Sequence, residues 1–301
     1  MSKCLVTGGC GFIGSNLVDE LIKLGNEVHV IDDLSASCND DFYFNSKASW
    51  SKISVCNSEK VENDFKQFKP DYVFHLAAYS RIQVAMKNPL STCDVNFTAT
   101  ASLLQLCAKY KVKRFVLSST SSIYGLKNQI PLSEDMPADC LNIYSTTKYS
   151  AEQLCKMYYK LFNVPTVIFR YFNVYGPREP LKGVYAPVVG LFLKQFKEGE
   201  PMTIVGDGSQ TRDFTHVKDV VKANIAAVKN DKEEIFGEVF NVGTGVNYSV
   251  LDLAKNIGGD YQFIESREGE AHDTLADISK IKSLLNWEPC GNIMKYIDSN
   301  K

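Results

Sequence analysis

The sequence predicts an α/β protein: a doubly wound parallel sheet with a smaller mixed α/β region over its mouth. Three observations predict it. Short apolar runs alternate with helical periods over about the first 175 residues. A glycine-rich turn joins the first apolar run to the first helical period. Beyond about Pro177 the rhythm becomes irregular, and Gly and Pro punctuate the chain.

The elements follow in order. Residues 4–6 read as a strand, and a helix runs over about 11–24. A second strand covers 27–31 and a third 53–55, with a helix near 58–68. Residues 71–75 give a fourth strand, 96–110 a long helix, and 114–118 a fifth strand. A helix over 145–161 and a sixth strand over 166–170 complete the regular part. The strands are near-continuous apolar runs, as in a parallel sheet covered on both faces.

Composition narrows the function classes. The chain has 301 residues, 45% of them hydrophobic, with 33 basic and 35 acidic residues for a net charge of -2. That balance provides no field for nucleic acid. The best apolar stretch, 186–192, is too short to cross a membrane. The first residues open directly into a strand pattern, so no signal peptide is expected and a cytoplasmic location is. Nine cysteines without a CxxC pair, apart from the four histidines, predict neither a metal site nor a disulfide framework.

The turn reads Thr7-Gly8-Gly9-Cys10-Gly11-Phe12-Ile13-Gly14, with Gly8, Gly11 and Gly14 spaced three apart. Glycine lets the backbone approach a pyrophosphate, and the helix that follows offers it free N–H groups. Asp32 ends the second strand, 18 residues past Gly14, where a carboxylate can accept both ribose hydroxyls of adenosine. Asp32 and Asp33 together would repel a 2′-phosphate, so NAD is expected rather than NADP. The alternative is a tight turn without a ligand.

Tyr144 and Lys148 are four apart at a helix start and share a face. An ammonium beside a phenol stabilises the phenolate, which can then take a proton from an alcohol. The hydroxyl-rich run Ser118-Ser119-Thr120-Ser121-Ser122 follows the fifth strand, at the sheet edge where ligands bind. Thr120 there could complete a proton relay. The alternatives are a solvated helix turn and a loop of capping hydroxyls.

With these pieces, the chain resembles the extended short-chain dehydrogenase/reductase family, and within it the UDP-glucose 4-epimerase-like nucleotide-sugar epimerases. The resemblance spans nearly the whole chain: TGGCGFIG at 7–14, HLAA at 75–78, DVN at 94–96, SSTSSIYG at 118–125, RYFNVYGP at 170–177, GDGSQTRDFTHV at 206–217, NVGTG at 241–245, REGE at 267–270 and WEP at 287–289. It implies a Rossmann-type NAD-binding part (1–176 and about 212–243) interleaved with a nucleotide-sugar-binding region (about 177–211 and 244–301). Tyr144, Lys148 and Thr120 are implied as catalytic. Gly8, Gly11, Phe12, Ile13, Gly14, Asp32, Asp33, Ser35, Leu76, Ala77, Ala78, Asn96, Ser118 and Phe172 are implied to hold NAD, together with Tyr144 and Lys148. Arg81, Ser122, Asn173, Arg212, Arg267, Glu270 and Thr274 are implied to face the substrate. Two arginines suit a pyrophosphate because guanidinium matches phosphate bidentately. The alternative for Arg212 and Arg267 is an ion pair with Asp213 or Glu268, and for Arg81 a solvated loop.

The sequence departs from the family pattern at three places. Ser54 or Asn57 stands where many members have an acid for the adenine amino group. Ile143 replaces a frequent proline before the catalytic tyrosine. Ser121 and Ser122 occupy the Asp-Glu positions of the dehydratases. The resemblance implies inversion at C4 of a nucleotide sugar through a 4-keto sugar. A small residue, Thr274, would admit N-acetylhexosamines, and Arg81 would suit a uronate. The open alternatives are a decarboxylase, dehydratase or keto-reductase of the same family and, outside enzymes, a non-catalytic NAD-sensing protein. A homodimer is also implied, pairing helices at about 97–110 and 145–161, whose Leu103, Leu104, Leu106, Met157 and Tyr158 allow it.

Overall fold

Strand β1 (Lys3–Thr7) is a run of residues buried on both sides, and it pairs in parallel with β2 (Glu27–Asp32) and β4 (Tyr72–His75). Between them lie α1 (Phe12–Lys23), β3 (Ser49–Lys52) and α2 (Ser58–Phe68). The computed structural model describes residues 1–36, 39, 41–181, 186–265 and 271–301. The chain continues through α3 (Ile82–Lys87), α4 (Pro89–Cys93), a π-helical turn (Asp94–Thr98), α5 (Ala99–Tyr110), β5 (Arg114–Thr120), α6 (Ile143–Phe162) and β6 (Thr166–Tyr171). Then come β7 (Val174–Tyr175), α7 (Val188–Glu198), β8 (Met202–Val205), β9 (Thr211–Asp213), β10 (Thr215–His216), α8 (Val217–Lys229) and β11 (Glu238–Val242). The last elements are β12 (Asn247–Ser249), α9 (Val250–Ile257), β13 (Tyr261–Ile264), α10 (Ser279–Leu285) and α11 (Ile293–Asn300).

Seven parallel strands form the main sheet in the order β11-β6-β5-β4-β1-β2-β3. Alternate side chains serve opposite faces. Val6, Val30, Phe74, Val116 and Phe169 meet Leu17 of α1 and Val220 of α8 on one face. Leu5, Ile31, Val73, Phe115 and Ile168 meet Phe65, Leu103 and Ala151 from α2, α5 and α6 on the other. The strand order turns round between β1 and β4, which opens a crevice at the carboxyl ends of the strands. Over that edge sits a smaller core of Tyr175, Phe192, Met202, Phe214, Leu253 and Ile297. It is built on the pairs β10-β7, β12-β9 and β13-β8.

Two local expectations change. The third strand is Ser49–Lys52, ahead of 53–55. It is an edge strand with exposed Trp50, whereas the Ile53 N–H already turns in to the Asp32 carbonyl; the apolar pattern marked the turn into the core. The helix expected from 96 is continuous with the π turn and α4 before it. Leu103, Leu104 and Leu106 are buried and Met157 is exposed. No helix among the described residues is long and apolar enough to cross a membrane.

Candidate active site

Each glycine of the first turn answers a different need. Gly8 has φ +70, and a Cβ there would lie 2.7 Å from the Ala77 nitrogen. A Cβ on Gly14 would lie 2.1 Å from the Gly8 carbonyl oxygen, so Gly14 lets α1 start against the turn. Gly11 is different: a Cβ there would meet nothing closer than 3.5 Å and would project into the cleft. Gly11 caps α1 without a side-chain hydrogen bond, so the first turn of the helix relies on a ligand or solvent. This is a cradle for an anion.

Asp32 closes one side of the cradle. Its carboxylate accepts from the Cys10 N–H and the Leu34 N–H, both at 2.9 Å, and burial holds its pKa above the usual carboxylate value. Its remaining lone pairs are available to hydroxyls in the cleft it lines. Asp33 and Ser35 line the cleft too, and the Ser35 N–H and hydroxyl both donate to Asp33. Leu76, Ala77 and Ala78 form the facing wall. His75 is buried beneath them between the Thr7 and Thr100 hydroxyls at 2.7 and 3.0 Å. Burial, with the charge of Lys148, pushes the His75 pKa down to about 3, so it bonds β1 to β4 and α5 as a neutral ring.

Tyr144, Lys148 and Glu152 recur at i, i+4 and i+8 on α6, and all three are buried. The capping box of Asn142 and Ser145 fixes the start of this helix. Burial raises the Tyr144 pKa, and a hydrogen bond with Thr120 and the charge of Arg81 act against that rise. Burial lowers the Lys148 pKa to about 8, and the nearby Cys155 and Glu152 oppose the drop. Thr120 and Ser122 are linked hydroxyl to hydroxyl at 3.1 Å, and Ser118 bonds the Tyr171 hydroxyl at 3.1 Å.

Glu152 is a supporting residue that sequence reasoning missed. It takes a two-point ion pair from Arg170 at 2.7 and 3.0 Å and a hydrogen bond from Ser119 at 2.6 Å. The pair ties α6 to β5 and β6. Its signal was available in the i+8 spacing after Tyr144.

The far end of the cleft is built from side chains of distant segments. Asn173, in left-handed backbone with φ 29, donates to the Asp213 carbonyl at 2.9 Å and to the Thr274 hydroxyl at 3.3 Å. Arg212 donates through Nη1 to the Thr211 and His272 carbonyls. The Asp213 carboxylate is engaged by Thr244, Gly245 and Ala276. Arg81, Ser122, Asn173, Arg212 and Thr274 all line the same cleft as the glycine turn, with a volume of about 610 Å³, within the usual range for ligand sites.

Two residues assigned to the cofactor sit elsewhere. Phe172, just past β6, is wholly buried and packs against Tyr124. Asn96 is buried behind the wall, where it holds the Tyr79 main chain by its N–H and carbonyl and bonds Thr147. It positions the loop after β4. Ser54 and Asn57 are engaged locally, by the Cys56 N–H and as the cap of α2. Arg267 and Glu270 lie outside the described residues.

Comparison with known proteins places this geometry. Residues 4–243 match the NAD dependent epimerase/dehydratase family. The chain is 32% identical to the UDP-glucuronate 4-epimerase of Thermodesulfobacterium geofontis, over 96% of this chain and 92% of that one. It is 34% identical to the UDP-N-acetyl-alpha-D-glucosaminuronate decarboxylase of Bacillus cytotoxicus, over 95% and 92%. The crystal structure of a UDP-glucose 4-epimerase from Thermotoga maritima with UDP-glucose superposes with a TM-score of 0.93 at 33% identity, covering 99% of this chain and 97% of that one. A glycine cradle with an acid at the second strand, joined in one cleft to a buried tyrosine–lysine pair, belongs with these proteins, and the chain is a member of the NAD dependent epimerase/dehydratase family.

Proposed function

We propose that the protein inverts C4 of a UDP-sugar through a 4-keto sugar. The observation that carries this reading is the continuity of the cleft: Tyr144, Lys148 and Thr120 stand between the glycine cradle and a polar end lined by Asn173, Arg212 and Thr274. NAD, held by the cradle and Asp32, supplies the redox chemistry and a positive charge when bound. Tyr144, relayed by Thr120, takes the proton of the C4 hydroxyl and later returns one. Lys148 keeps a cation beside the cradle. Arg212, assisted by Asn173, anchors the nucleotide pyrophosphate while the sugar turns. The serines at 121 and 122 offer no carboxylate for loss of water.

A second reading concerns the sugar. Arg81 acts electrostatically on Tyr144, which places a cation at the reacting end and favours a hexuronate. The uronate-using relatives above support it. Pairing of two chains through α5 and α6 and a cytoplasmic location stand with the family reading.

The test is a panel of UDP- and dTDP-sugars followed by proton NMR. Inversion at C4 without net release of reduced cofactor is expected. Tyr144→Phe should lower the rate about 10³-fold with NAD still bound. Full activity in that variant would sink the mechanism, and loss of carbon dioxide from a uronate would move the assignment to a decarboxylase.

A further inference from the structure

Arg178 stands in the turn after β7, between Pro177 and the cleft-lining Glu179 and Pro180. Its backbone is left-handed, with φ 71, a conformation uncommon for a residue with a side chain. Such a conformation persists where the surroundings over-determine it, and here they do. Arg178 Nη2 donates to Asp19 Oδ2 on α1 at 2.7 Å, and its guanidinium lies over the Tyr43 ring, 4.9 Å from the centre. One residue earlier, Asn16 of α1 donates to the Pro177 carbonyl at 3.1 Å. The turn is therefore tied to the helix that opens at the glycine cradle.

Tyr43 belongs to a segment tied to the same place. Its N–H donates to the Cys10 carbonyl, inside the glycine turn, at 3.0 Å. Asn45 donates to the other oxygen of Asp19, Oδ1, at 2.7 Å. Phe42, next to Tyr43, lines the cleft, and so does Asn39, whose amide nitrogen would lie 3.6 Å from a Cβ on Gly11. This stretch of chain thus stands over the cradle. An exposed ion pair by itself contributes little. Here one carboxylate receives Arg178 and Asn45 on its two oxygens, while the flat guanidinium also covers the ring between them, so three pieces of chain meet at one arginine. We propose that Arg178 is a positioning residue that fastens residues 42–45 over the cradle and slows the release of NAD. It acts through Tyr43 and Asp19 on the wall that Phe42 forms. The inference rests on the cradle as the NAD site and not on inversion at C4.

The rate of NAD release from the full chain tests it. Loaded protein is diluted into a dehydrogenase with its alcohol substrate, which reduces each freed NAD and reports it by absorbance. Arg178→Ala should speed release about fivefold to tenfold, from loss of the ring contact and the ion pair together. Arg178→Lys keeps a charge for Asp19 without the flat face, and should fall between. Asp19→Ala should match Arg178→Ala, and the double variant should be within about twofold of either, because the residues act as one unit. Glu238→Ala breaks an ion pair with Lys280 at the opposite edge of the sheet and should leave release unchanged. Wild-type release from Arg178→Ala would overturn the proposal. So would equal acceleration by Glu238→Ala, which would mark a general loosening, or additive effects of Asp19→Ala and Arg178→Ala. Tyr43→Leu keeps the ion pair and removes the ring, and should speed release about threefold even if Arg178→Ala fails to fold; wild-type release there would count equally against it. Wild-type release from Gly11→Ala would instead overturn the cradle assignment beneath it.

Discussion

At the β1–α1 end of the cleft the ligand-facing surface is main chain, held by glycines and one carboxylate that lie within 25 residues of one another. Beyond that end it is side chain, brought from positions 81, 122, 173, 212 and 274. The first end is made by local backbone geometry, and a methyl group is enough to change it. The second is made by tertiary packing and adapts to a different sugar by substitution of single side chains. Conserving a cofactor while varying a substrate asks for this division.

The largest effects that separate the two ends belong to the glycines. Gly14→Ala would place a Cβ on the Gly8 carbonyl and should cost about 3 kcal/mol or more, read as a lowered Tm. Gly11→Ala has no close contact with protein, so its Tm should stay within about 2 °C of wild type. Its NAD affinity should nevertheless fall at least about tenfold, because the methyl group occupies the anion cradle. A Gly11→Ala protein that binds NAD normally would remove the cradle from the cofactor site.

A second break is aimed at α6, the helix both ends share. Glu152→Ala leaves Arg170 charged in a buried position with the Ser119 hydroxyl unpaired. Removing one partner of such a pair costs about 3–5 kcal/mol, measurable by urea unfolding. The rate should drop as well, since Tyr144 and Lys148 stand on the same helix face. Unchanged stability would show that the pair does not hold the helix to the sheet.

The same contrast explains what could be read in the sequence. The glycine spacing, Asp32 and the Tyr144/Lys148 pair are signals of local geometry, so their elements and their common cleft were legible before any coordinates. Ser49–Lys52 was missed because an edge strand with polar, exposed residues carries no apolar run. Phe172 and Asn96 bury their side chains behind the cleft, and motif membership does not say which way a side chain points or whether an amide faces the cavity or the loop behind it.

The smallest expected effect tests the adaptable end. Thr274 is 8% exposed, lines the cleft, and accepts from Asn173 and the Asp213 N–H, both at 3.3 Å. On the proposed reading, a threonine there admits an N-acetyl group beside Asn173. Thr274→Tyr fills that space and removes one weak acceptor. It should lower kcat/KM for UDP-N-acetylglucosamine about tenfold more than for UDP-glucose, in line with the modest discrimination a single pocket contact provides. NAD affinity should not move, because the cradle is main chain at the opposite end. A tyrosine that slowed both sugars equally would mean the residue acts through Asn173 rather than by pocket volume, and specificity would then have to be sought at Arg81.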